Sequence, residues 1–341
     1  MTTTSLPEAS IFHAGAGEPA LRWGLIGPGW IAGEFVTAVH AHTAQRFVGV
    51  ASRSEKRADA FASTYGIENA FGSAEAMLAR PDIDVVYIAS PPGAHLAEGL
   101  AAVAAGKHVI IEKPLASDAV EGQQLADAAR SAGVLLMEAM WSRYLPQSSV
   151  VRALVADGGL GEIREVLASH GQAINPGPDH RLSRADLGGG ALLDLGIYPV
   201  QFDSMILGAP TRVTAVGAVA ESGVDSYSSL ILSHAGGAQS TLTNSMITRT
   251  PNSAVVAGSE AHLYLAPTFY NPTTLELTGN DPAAPTLHWD DPTDLRGFAA
   301  LSWEATALAT FVGEGRTESP LHTLDETVSI LETLDEARRQ L

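Results

Sequence analysis

Short apolar runs alternate with helical patterns along the first 140 residues of the chain. Apolar runs of this length are typical of buried parallel strands, and apolar residues spaced three and four apart indicate amphipathic helices. The alternation predicts a parallel sheet with right-handed crossover connections. The predicted strands are Arg22–Ile26, Phe47–Ala51, Val85–Ala89, His108–Ile111 and Val134–Met137, and the predicted helices are Ile31–Val39, Glu55–Tyr65, Ala74–Leu78, Ala94–Ala105 and Ala119–Ser131.

A different pattern begins after Pro146. A loop rich in proline and glycine covers 175–186, and several short strands separated by tight turns fill the stretch from Arg212 to Leu277. Strands that follow one another through short turns predict a mostly antiparallel sheet. The predicted helices are Ser148–Ala156, Ala191–Ile206, Phe298–Val312 and Asp325–Gln340, and the predicted strands are Arg164–His170, Arg212–Val219, Tyr227–Ser233, Gln239–Ser245, Ala254–Ala257 and His262–Leu265.

Two glycines follow the first predicted strand in the order Gly27-Pro28-Gly29-Trp30-Ile31-Ala32, which has the spacing of a dinucleotide fingerprint. The first glycine permits a tight turn, the second lets the backbone approach a pyrophosphate, and the small Ala32 lets the helix pack on the strand. The amide groups at the helix start favour phosphate. Because a strand precedes this motif and a helix follows it, the motif predicts dinucleotide binding.

The two patterns together predict an α/β chain of two domains. We expect a flexible extension over 1–20, a Rossmann dinucleotide-binding domain over 21–145, and an α+β domain for substrate binding and oligomerisation over 146–341. The second domain should contain a large, mostly antiparallel open sheet. Its C-terminal helices should pack back toward the Rossmann domain.

Composition narrows the classes of function. A net charge of −18 over 341 residues argues against nucleic acid or an anionic membrane as a partner. The chain has no cysteine, which excludes disulfides, thiolate zinc sites and a cysteine nucleophile. No histidine or acidic cluster has metal-ligand spacing, no apolar run is long enough to cross a membrane, and residues 1–20 do not resemble a secretory signal. We therefore expect a cytoplasmic enzyme without a metal.

Residues about 20 positions beyond the fingerprint bear on the choice of cofactor. An acidic side chain there would bind the ribose 2′-hydroxyl of NAD. This chain has Ser52-Arg53-Ser54, followed by Lys56 and Arg57. Hydroxyl and guanidinium groups suit a 2′-phosphate, so we expect NADP rather than NAD. The alternative is that Arg53 is a solvated charge at a helix start.

Two further motifs carry candidate chemistry. An apolar strand ends in Glu112-Lys113-Pro114, which places the charged pair at the carboxyl end of a strand, where doubly wound sheets bind ligands. Gly188-Gly189-Gly190 precedes a predicted helix on which Asp194 and Tyr198 lie four residues apart, on one face. Each motif has a plainer alternative, namely a solvated strand end, and a buried tyrosine with a capping or ion-paired aspartate.

These motifs resemble those of a known family. The stretches 106–115 (Gly-Lys-His-Val-Ile-Ile-Glu-Lys-Pro-Leu) and 188–198 (Gly-Gly-Gly-Ala-Leu-Leu-Asp-Leu-Gly-Ile-Tyr) resemble the two hallmark motifs of the glucose–fructose oxidoreductase/inositol dehydrogenase (Gfo/Idh/MocA) family. The resemblance covers about residues 21 to 341. Met137 to Pro146 looks like the branch of dimeric trans-dihydrodiol dehydrogenases and NADP-linked xylose dehydrogenases, which also carry tyrosine where inositol dehydrogenases carry histidine.

The resemblance implies roles for particular residues. Lys113 matches a lysine that contacts the substrate hydroxyl and the nicotinamide region, and Tyr198 matches the general acid/base. Asp194 matches an aspartate that lines the substrate site, and Trp141 matches a tryptophan that packs near substrate and cofactor. A lysine ammonium near a phenol favours the phenolate and lowers the phenol pKa, which would let tyrosine act as a base.

The remaining histidines leave alternatives open. His180 and Arg181 either line the substrate pocket or lie on a surface loop, His95 either contacts the cofactor or packs, and His170 faces either a core or the pocket. The predicted catalytic residues are Lys113, Asp194 and Tyr198; the predicted substrate contacts are these three with Trp141, His180 and Arg181; and the predicted cofactor contacts are Gly27, Gly29, Trp30, Ile31, Ser52, Arg53, Ser90, Pro91, His95, Glu112 and Lys113.

The sequence thus predicts an NAD(P)-dependent dehydrogenase or reductase that transfers hydride between the cofactor and a hydroxyl or carbonyl of a sugar, polyol or cyclic diol. Two alternatives stay open: a non-catalytic, dinucleotide- and sugar-sensing regulator on the same fold, and a sugar–sugar oxidoreductase that retains its cofactor. We expect a small carbohydrate or diol as the partner, and a homodimer formed through the apolar sheet face within Arg212 to Leu277.

Overall fold

The computed structural model describes residues 5–341 and contains two compact units. The first unit consists of Phe12–Tyr144 and Arg296–Val328. The second consists of the described residues up to Ile11, Leu145–Leu295 and Ser329–Leu341. The boundary after Tyr144 lies one residue before the predicted boundary. The first unit is built from two separate stretches of the chain.

A six-stranded parallel sheet organises the first unit. Each predicted strand forms, with its ends within two residues of the prediction. The sheet also contains a short edge strand, Asn69–Phe71, that the pattern does not predict; its backbone pairs with the neighbouring strand, but its side chains are only half-buried. The strands are β1 (Arg22–Ile26), β2 (Arg46–Ala51), β3 (Asn69–Phe71), β4 (Val85–Ile88), β5 (His108–Glu112) and β6 (Leu136–Ala139), and the helices are α1 (Trp30–His42), α2 (Glu55–Tyr65), α3 (Ala74–Leu78), α4 (His95–Ala104) and α5 (Ala119–Ala132). The strand order, β3-β2-β1-β4-β5-β6, is that of dinucleotide-binding sheets, whose ligand site lies where the order reverses.

Aromatic rings fill part of the core beside β1. Trp23, Phe35, Phe47 and Tyr87 are all buried, and the ring centroids of Phe35 and Tyr87 lie 4.2 Å apart in a stacked pair. The Trp23 and Phe47 centroids are 5.5 Å apart. Burying rings of this size stabilises the junction between α1 and the sheet, so the start of α1 is held in place.

The predicted flexible N-terminal extension is packed over much of its described length. The Phe12 ring meets the ring edges of Tyr144 and Phe311, with centroid distances of 6.2 Å and 5.6 Å, inside the first unit. In the second unit, the Ser10 amide donates to Ser149 Oγ at 2.8 Å. Ser10 and Phe12 thus make defined contacts within the extension that the sequence predicts to be flexible.

The second unit contains an eight-stranded sheet, two α-helices within 145–295 and most of the last helix of the chain. The last two strands lie outside the set of named predicted strands. The final strand is at the edge of the sheet and has no buried side chain, whereas the strand before it has two buried leucines and runs into a predicted turn at 278–281. The elements are α6 (Pro146–Ala156), β7 (Ile163–Gly171), α7 (Ile197–Leu207), β8 (Arg212–Val219), β9 (Asp225–Ser233), β10 (Gln239–Ser245), β11 (Ala254–Gly258), β12 (Ala261–Leu265), β13 (Leu275–Gly279) and β14 (Thr286–Trp289).

The sheet order is β14-β13-β12-β11-β7-β10-β9-β8. β7 and β10 pair in parallel, and every other neighbouring pair is antiparallel. α7 packs on β7 and β10, which leaves side chains on the opposite face exposed, among them Tyr227 and Ile231. The sheet therefore has one face covered by α7 and one exposed face, on which apolar side chains lie among polar ones such as Glu165 and Thr241.

Two helices end the chain: α8 (Leu301–Gly313), which packs on α1 within the first unit, and α9 (Leu324–Arg339). No helix within residues 5–341 is both long enough and apolar enough to cross a bilayer.

Candidate active site

Two glycines shape the turn between β1 and α1. Gly27 has a φ of +88°, and a β-carbon there would lie 2.5 Å from the backbone nitrogen of Ser90, so no larger residue fits. A β-carbon at Gly29 would meet one neighbour, the Gly27 carbonyl oxygen at 3.9 Å. α1 begins at Trp30, and no side chain among the described residues caps its first turn. The amides at this helix start can therefore bind an anion.

The end of β2 carries hydroxyl and guanidinium groups. Ser52 is half-buried and Arg53 is exposed, and the Ser52 hydroxyl accepts a hydrogen bond from the Ser54 amide at 3.3 Å. Arg57 Nη2 donates to the Pro28 carbonyl at 3.3 Å, which ties α2 to the glycine turn. This group of donors contains no carboxylate, and it suits a phosphate better than a bare ribose.

His95 differs from its predicted role as a cofactor contact. Its ring is fully buried, with Nδ1 3.0 Å from the Pro114 carbonyl oxygen and Nε2 2.8 Å from the Ser90 carbonyl oxygen. Burial lowers the pKa of His95. The ring joins two backbone segments at the strand ends, so His95 orders the loop that contains Ser90 and Pro91. Ser90 itself donates its hydroxyl hydrogen to Glu98, whose pKa burial raises.

Lys113 is half-buried directly after β5. The carboxylate of Glu112 accepts hydrogen bonds from the Tyr87 hydroxyl and, at 3.2 Å, from the Lys113 amide. Burial raises the pKa of Glu112. Glu112 therefore fixes the backbone that carries the Lys113 side chain. Its role in the structure is to position Lys113.

An aromatic row lies in the first unit near the glycine turn. Trp141 is buried and stacks on Phe298, with centroids 6.1 Å apart, and Phe298 meets the edge of Trp30 at 5.0 Å. Trp30 is 67% exposed, and the adjacent Ile31 is half-buried. The sequence motifs contain Trp141 and Trp30 but gave no signal for Phe298, which joins from a distant segment.

A layer of buried acids lies behind the Lys113 turn. Glu138 accepts the Leu115 amide at 2.8 Å and contacts Nε2 of His322 at 2.7 Å. Glu304 on α8 is fully buried, and neither of its carboxyl oxygens has a hydrogen-bond partner among residues 5–341. In the same described range, no group of three or more histidine and acidic side chains is arranged to hold a metal ion.

In the second unit, the predicted helix over 191–206 is divided. Leu192–Gly196 form a π-helical turn, and α7 continues from Ile197. Apolar spacing cannot separate the two forms, because their periods are similar, and π turns are frequent at functional sites. Asp194 lies in the π turn, and its Oδ1 pairs with Arg181 Nη2 at 2.9 Å. The structure thus brings together two of the predicted substrate contacts.

Tyr198, in the first turn of α7, lies in an aromatic cluster. Its ring centroid is 4.7 Å from that of Tyr270 and 5.2 Å from that of His170, and those two rings lie 4.2 Å apart. His170 Nδ1 is 3.1 Å from the Leu195 carbonyl oxygen, which fits a ring that donates from Nδ1. Burial raises the pKa of Tyr270, whereas hydrogen bonds from Gln172 and Asn252 act in the opposite direction.

His180 is exposed, and it caps a short turn. Its Nδ1 accepts the Leu182 amide at 3.2 Å, at the start of the 3₁₀ turn Arg181–Ser183. The cap places the Arg181 side chain toward Asp194, so His180 supports the Arg181–Asp194 pair.

Two family models match the chain. Residues 21–140 match the oxidoreductase family with an NAD-binding Rossmann fold (GFO/IDH/MocA), and residues 149–264 match the GFO/IDH/MocA C-terminal domain. The trans-1,2-dihydrobenzene-1,2-diol dehydrogenase of Mus musculus is 35% identical over 94% of this chain and 97% of its own. The enzyme of the same name from Xenopus tropicalis is 34% identical over 94% of this chain and 98% of its own. The chain belongs to the Gfo/Idh/MocA oxidoreductase family.

Solved structures agree with this assignment. KijD10, a 3-ketoreductase from Actinomadura kijaniata in complex with NADP and TDP-benzene, has a TM-score of 0.81 and 29% identity, and the match covers 94% of this chain and 98% of that one. The aldose-aldose oxidoreductase of Caulobacter crescentus has a TM-score of 0.83 at 24% identity, with the same coverage, and so bears on the fold alone. The predicted family, the α/β fold class and the oxidoreductase activity are confirmed.

A Gfo/Idh/MocA protein binds a nicotinamide dinucleotide, and the first unit has the features that such a ligand needs. The glycine turn leaves open space at Gly29, where a larger residue would project. The uncapped start of α1 suits the pyrophosphate, and Ser52 and Arg53 directly follow β2, after which a Rossmann fold commonly contacts the ribose.

The family motifs account for only some of the residues around the candidate acid/base. His170 and Tyr270 come from β7 and from the segment after β12, so neither lies near Tyr198 in sequence. His170 was noted as a strand-end histidine without a defined environment. Tyr270 lies beyond the predicted strand His262–Leu265, and its sequence signal is an aromatic pair with Phe269.

Proposed function

We propose that the protein is an NADP-dependent dehydrogenase or reductase acting on a cyclic diol or sugar, with Tyr198 as the general acid/base and Lys113 as its assisting cation. The observation that carries this proposal is the presence of both residues in a chain that matches trans-dihydrobenzenediol dehydrogenases over 94% of its length. A ligand-sensing regulator would need no acid/base pair.

The proposed chemistry is a proton transfer coupled to a hydride transfer. During oxidation, Tyr198 Oη takes the proton of the substrate hydroxyl while the neighbouring C–H bond breaks and a carbonyl forms. Bound nicotinamide supplies the two-electron chemistry, as hydride acceptor in oxidation and hydride donor in reduction. In reduction, Tyr198 returns the proton to the oxygen of the former carbonyl.

Charged side chains support the two halves of this chemistry. The Lys113 ammonium stabilises the phenolate form of Tyr198, which a neutral side chain would not do. Asp194 is proposed to accept a hydrogen bond from a substrate hydroxyl, and its ion pair with Arg181, at 2.9 Å, orients the carboxylate. Trp141 is proposed to pack beside the substrate ring.

Support for NADP over NAD comes from the end of β2. Ser52 and the exposed Arg53 occupy the ribose-reading position, and no acidic residue is found at 52–54. KijD10, which is similar in structure, was solved with NADP. A guanidinium can pair with a 2′-phosphate through two hydrogen bonds, whereas the ribose of NAD offers only a hydroxyl there.

The test is the substitution Tyr198→Phe, which removes only the phenolic oxygen. Turnover on a panel of dihydrodiols, aldoses and polyols, followed through the nicotinamide absorbance, should fall about 10²–10⁴-fold. NADPH binding, measured by fluorescence titration, should stay the same. Tyr264→Phe is the matched control, since Tyr264 lies on β12 of the same unit, away from the cluster, and it should keep full activity. Normal turnover in Tyr198→Phe would disprove the acid/base assignment.

A further inference from the structure

The helical segment that carries Asp194 and Tyr198 is held at its start by a carboxylate from the sheet. Asp225, the first residue of β9, is 6% exposed, and its Oδ2 accepts the Leu192 amide at 2.6 Å. The first amides of a helix have no partner within the helix, and a carboxylate there also interacts favourably with the helix dipole. A helix is usually capped by the residue just before it. Here the cap comes from β9, a strand that lies later in the sequence than the helix.

The third glycine of the triple-glycine motif makes room for this carboxylate. Gly190 has a φ of +116°, and a β-carbon there would lie 2.3 Å from Asp225 Oδ1. Any side chain at this position would displace the carboxylate or the turn, and the backbone conformation is itself unfavourable for residues other than glycine. Gly190 and Asp225 therefore act together in capping the helical segment, although they lie 35 positions apart in the sequence.

The surroundings of Asp225 stabilise its carboxylate mainly through hydrogen bonds from backbone amides. Burial raises the pKa of Asp225, while the amides of Leu192, of Asp225 itself and of Ala191 act in the opposite direction, as does the positive charge of Arg338 on α9. Burying a carboxyl is unfavourable, so the amides it binds must compensate. The amides of Ala191 and Leu192 begin the helical segment that contains Asp194 and continues into Tyr198.

We propose that Asp225 is a positioning residue for the reaction, because it fixes the first turn of the helical segment and so sets where Asp194 and Tyr198 point. The proposal rests on the function proposed above for Tyr198. Asp225 itself has no role in proton transfer. Its contribution is geometric, and a displacement of about 1 Å in a catalytic group can reduce turnover by about 100-fold.

The experiment compares Asp225→Ala and Asp225→Asn with the wild-type protein, all saturated with cofactor. Asp225→Ala should reduce kcat by about 10–100-fold, with NADPH affinity unchanged. Asp225→Asn keeps one carbonyl oxygen for the Leu192 amide and should recover a large part of the lost turnover. Hydrogen exchange of the amides over 191–198 should be faster in the alanine variant and close to wild type in the asparagine variant.

Asp291→Ala is the matched control. Asp291 is also a buried carboxylate in the second unit, and its Oδ1 accepts the Thr293 amide at 2.8 Å in a loop that carries no candidate site residue. Its loss should lower thermal stability and leave kcat, KM and the pH profile unchanged. A purely structural role for Asp225 would give this same pattern.

A double-mutant comparison keeps the proposal testable if Asp225→Ala is poorly folded. Gly190→Ala should displace the carboxylate and reduce kcat. In the double variant Gly190→Ala with Asp225→Asn, the loss of kcat, expressed as a free energy, should be smaller than the sum of the two single losses, because both changes disturb one contact. Additive losses would overturn the proposal. So would wild-type kcat together with wild-type exchange over 191–198 in Asp225→Ala. Failure of the proposed function has a separate signature, namely full activity in Tyr198→Phe.

Discussion

Burial decides what His95 and Arg53 can do, although both follow parallel strands at the ligand edge of the first sheet. The His95 ring is fully buried between two carbonyl oxygens, so it acts on the backbone around it. Arg53 is exposed at the end of β2 and keeps its guanidinium in solvent. A ligand that reaches this edge can therefore use the Arg53 charge directly.

The substitution Arg53→Asp should reverse the cofactor preference. An aspartate would repel the 2′-phosphate of NADP and would accept a hydrogen bond from the ribose hydroxyl of NAD. We expect the ratio of kcat/KM for NADP to that for NAD to fall from above one to below one. Arg46→Asp, at the opposite end of β2, makes the same change in net charge and should leave the ratio unchanged. Equal use of the two cofactors by the wild-type protein would contradict this prediction.

Residues within short motifs could be predicted from the sequence, and residues recruited from distant segments could not. The stretch 188–198 predicted Asp194 and Tyr198 as candidates, because it resembles a family motif and one turn of helix relates the two residues. Tyr270 and Asp225 reach the same region through sheet pairing, which no local pattern encodes. Arg181 lies between these cases. The sequence predicts its loop as a possible part of the substrate pocket but does not predict its ion pair with Asp194.

At the scale of elements, α8 is unusual because it is buried over most of its surface. Ten of its thirteen residues are buried, and a helix enclosed in this way is normally apolar all round. α8 nevertheless carries Glu304 in its first turn. Burial raises the pKa of Glu304 well above its ordinary value, and the charges of Glu112 and Glu138 act in the same direction.

This shift predicts that α8 makes folding stability depend on pH. In the folded protein Glu304 favours its neutral form, whereas in the unfolded chain it ionises above its ordinary pKa of 4.5. Its contribution to stability is complete below that value and is lost as the pH rises toward the folded pKa. Glu304→Gln should therefore melt at a higher temperature than wild type, by a margin that grows as the pH rises above the ordinary glutamate pKa of 4.5.

Calorimetry at several pH values would measure this margin. Glu332→Gln is the control, because Glu332 is exposed on α9 and its substitution should shift the melting temperature equally at each pH. A margin for Glu304→Gln that does not change with pH would mean that the folded protein carries Glu304 as the ion.

Most elements could be predicted because their apolar periods are distinct. α2 and α3 have the predicted ends, as do β8 and β10. The failures have physical causes. β3 and β14 are edge strands with few buried side chains, so they leave little trace in the pattern. The π turn before α7 was missed because its apolar spacing matches that of an ordinary helix.

For the whole molecule, the open face of the eight-stranded sheet is notable because it exposes large apolar side chains. Val216, Ile231 and Tyr227 are 66%, 50% and 43% exposed on β8 and β9. Large apolar side chains exposed on one sheet face are candidates for an interface, and two sheets can pack face to face. We propose a homodimer through this face, in which a second copy covers these side chains.

Light scattering at micromolar protein concentration should give the mass of a dimer. The double substitution Val216→Glu and Ile231→Glu places like charges on the face and should yield a folded monomer. Val120→Glu is the control, because Val120 is 68% exposed on α5 of the first unit and its substitution should leave the dimer intact. A wild-type monomer under these conditions would contradict the proposal.

The central place of β7 in its sheet has a consequence for the order of folding during synthesis. β7 leaves the ribosome before any other strand of that sheet, yet its two neighbours are β10 and β11, which follow much later in the chain. Until Gly258 has emerged, at least one edge of β7 lacks its native partner, and unpaired edges are prone to wrong pairing. The second unit therefore folds through long-range closure, which is slow, whereas β1, β2 and the helix between them can assemble as soon as they are made.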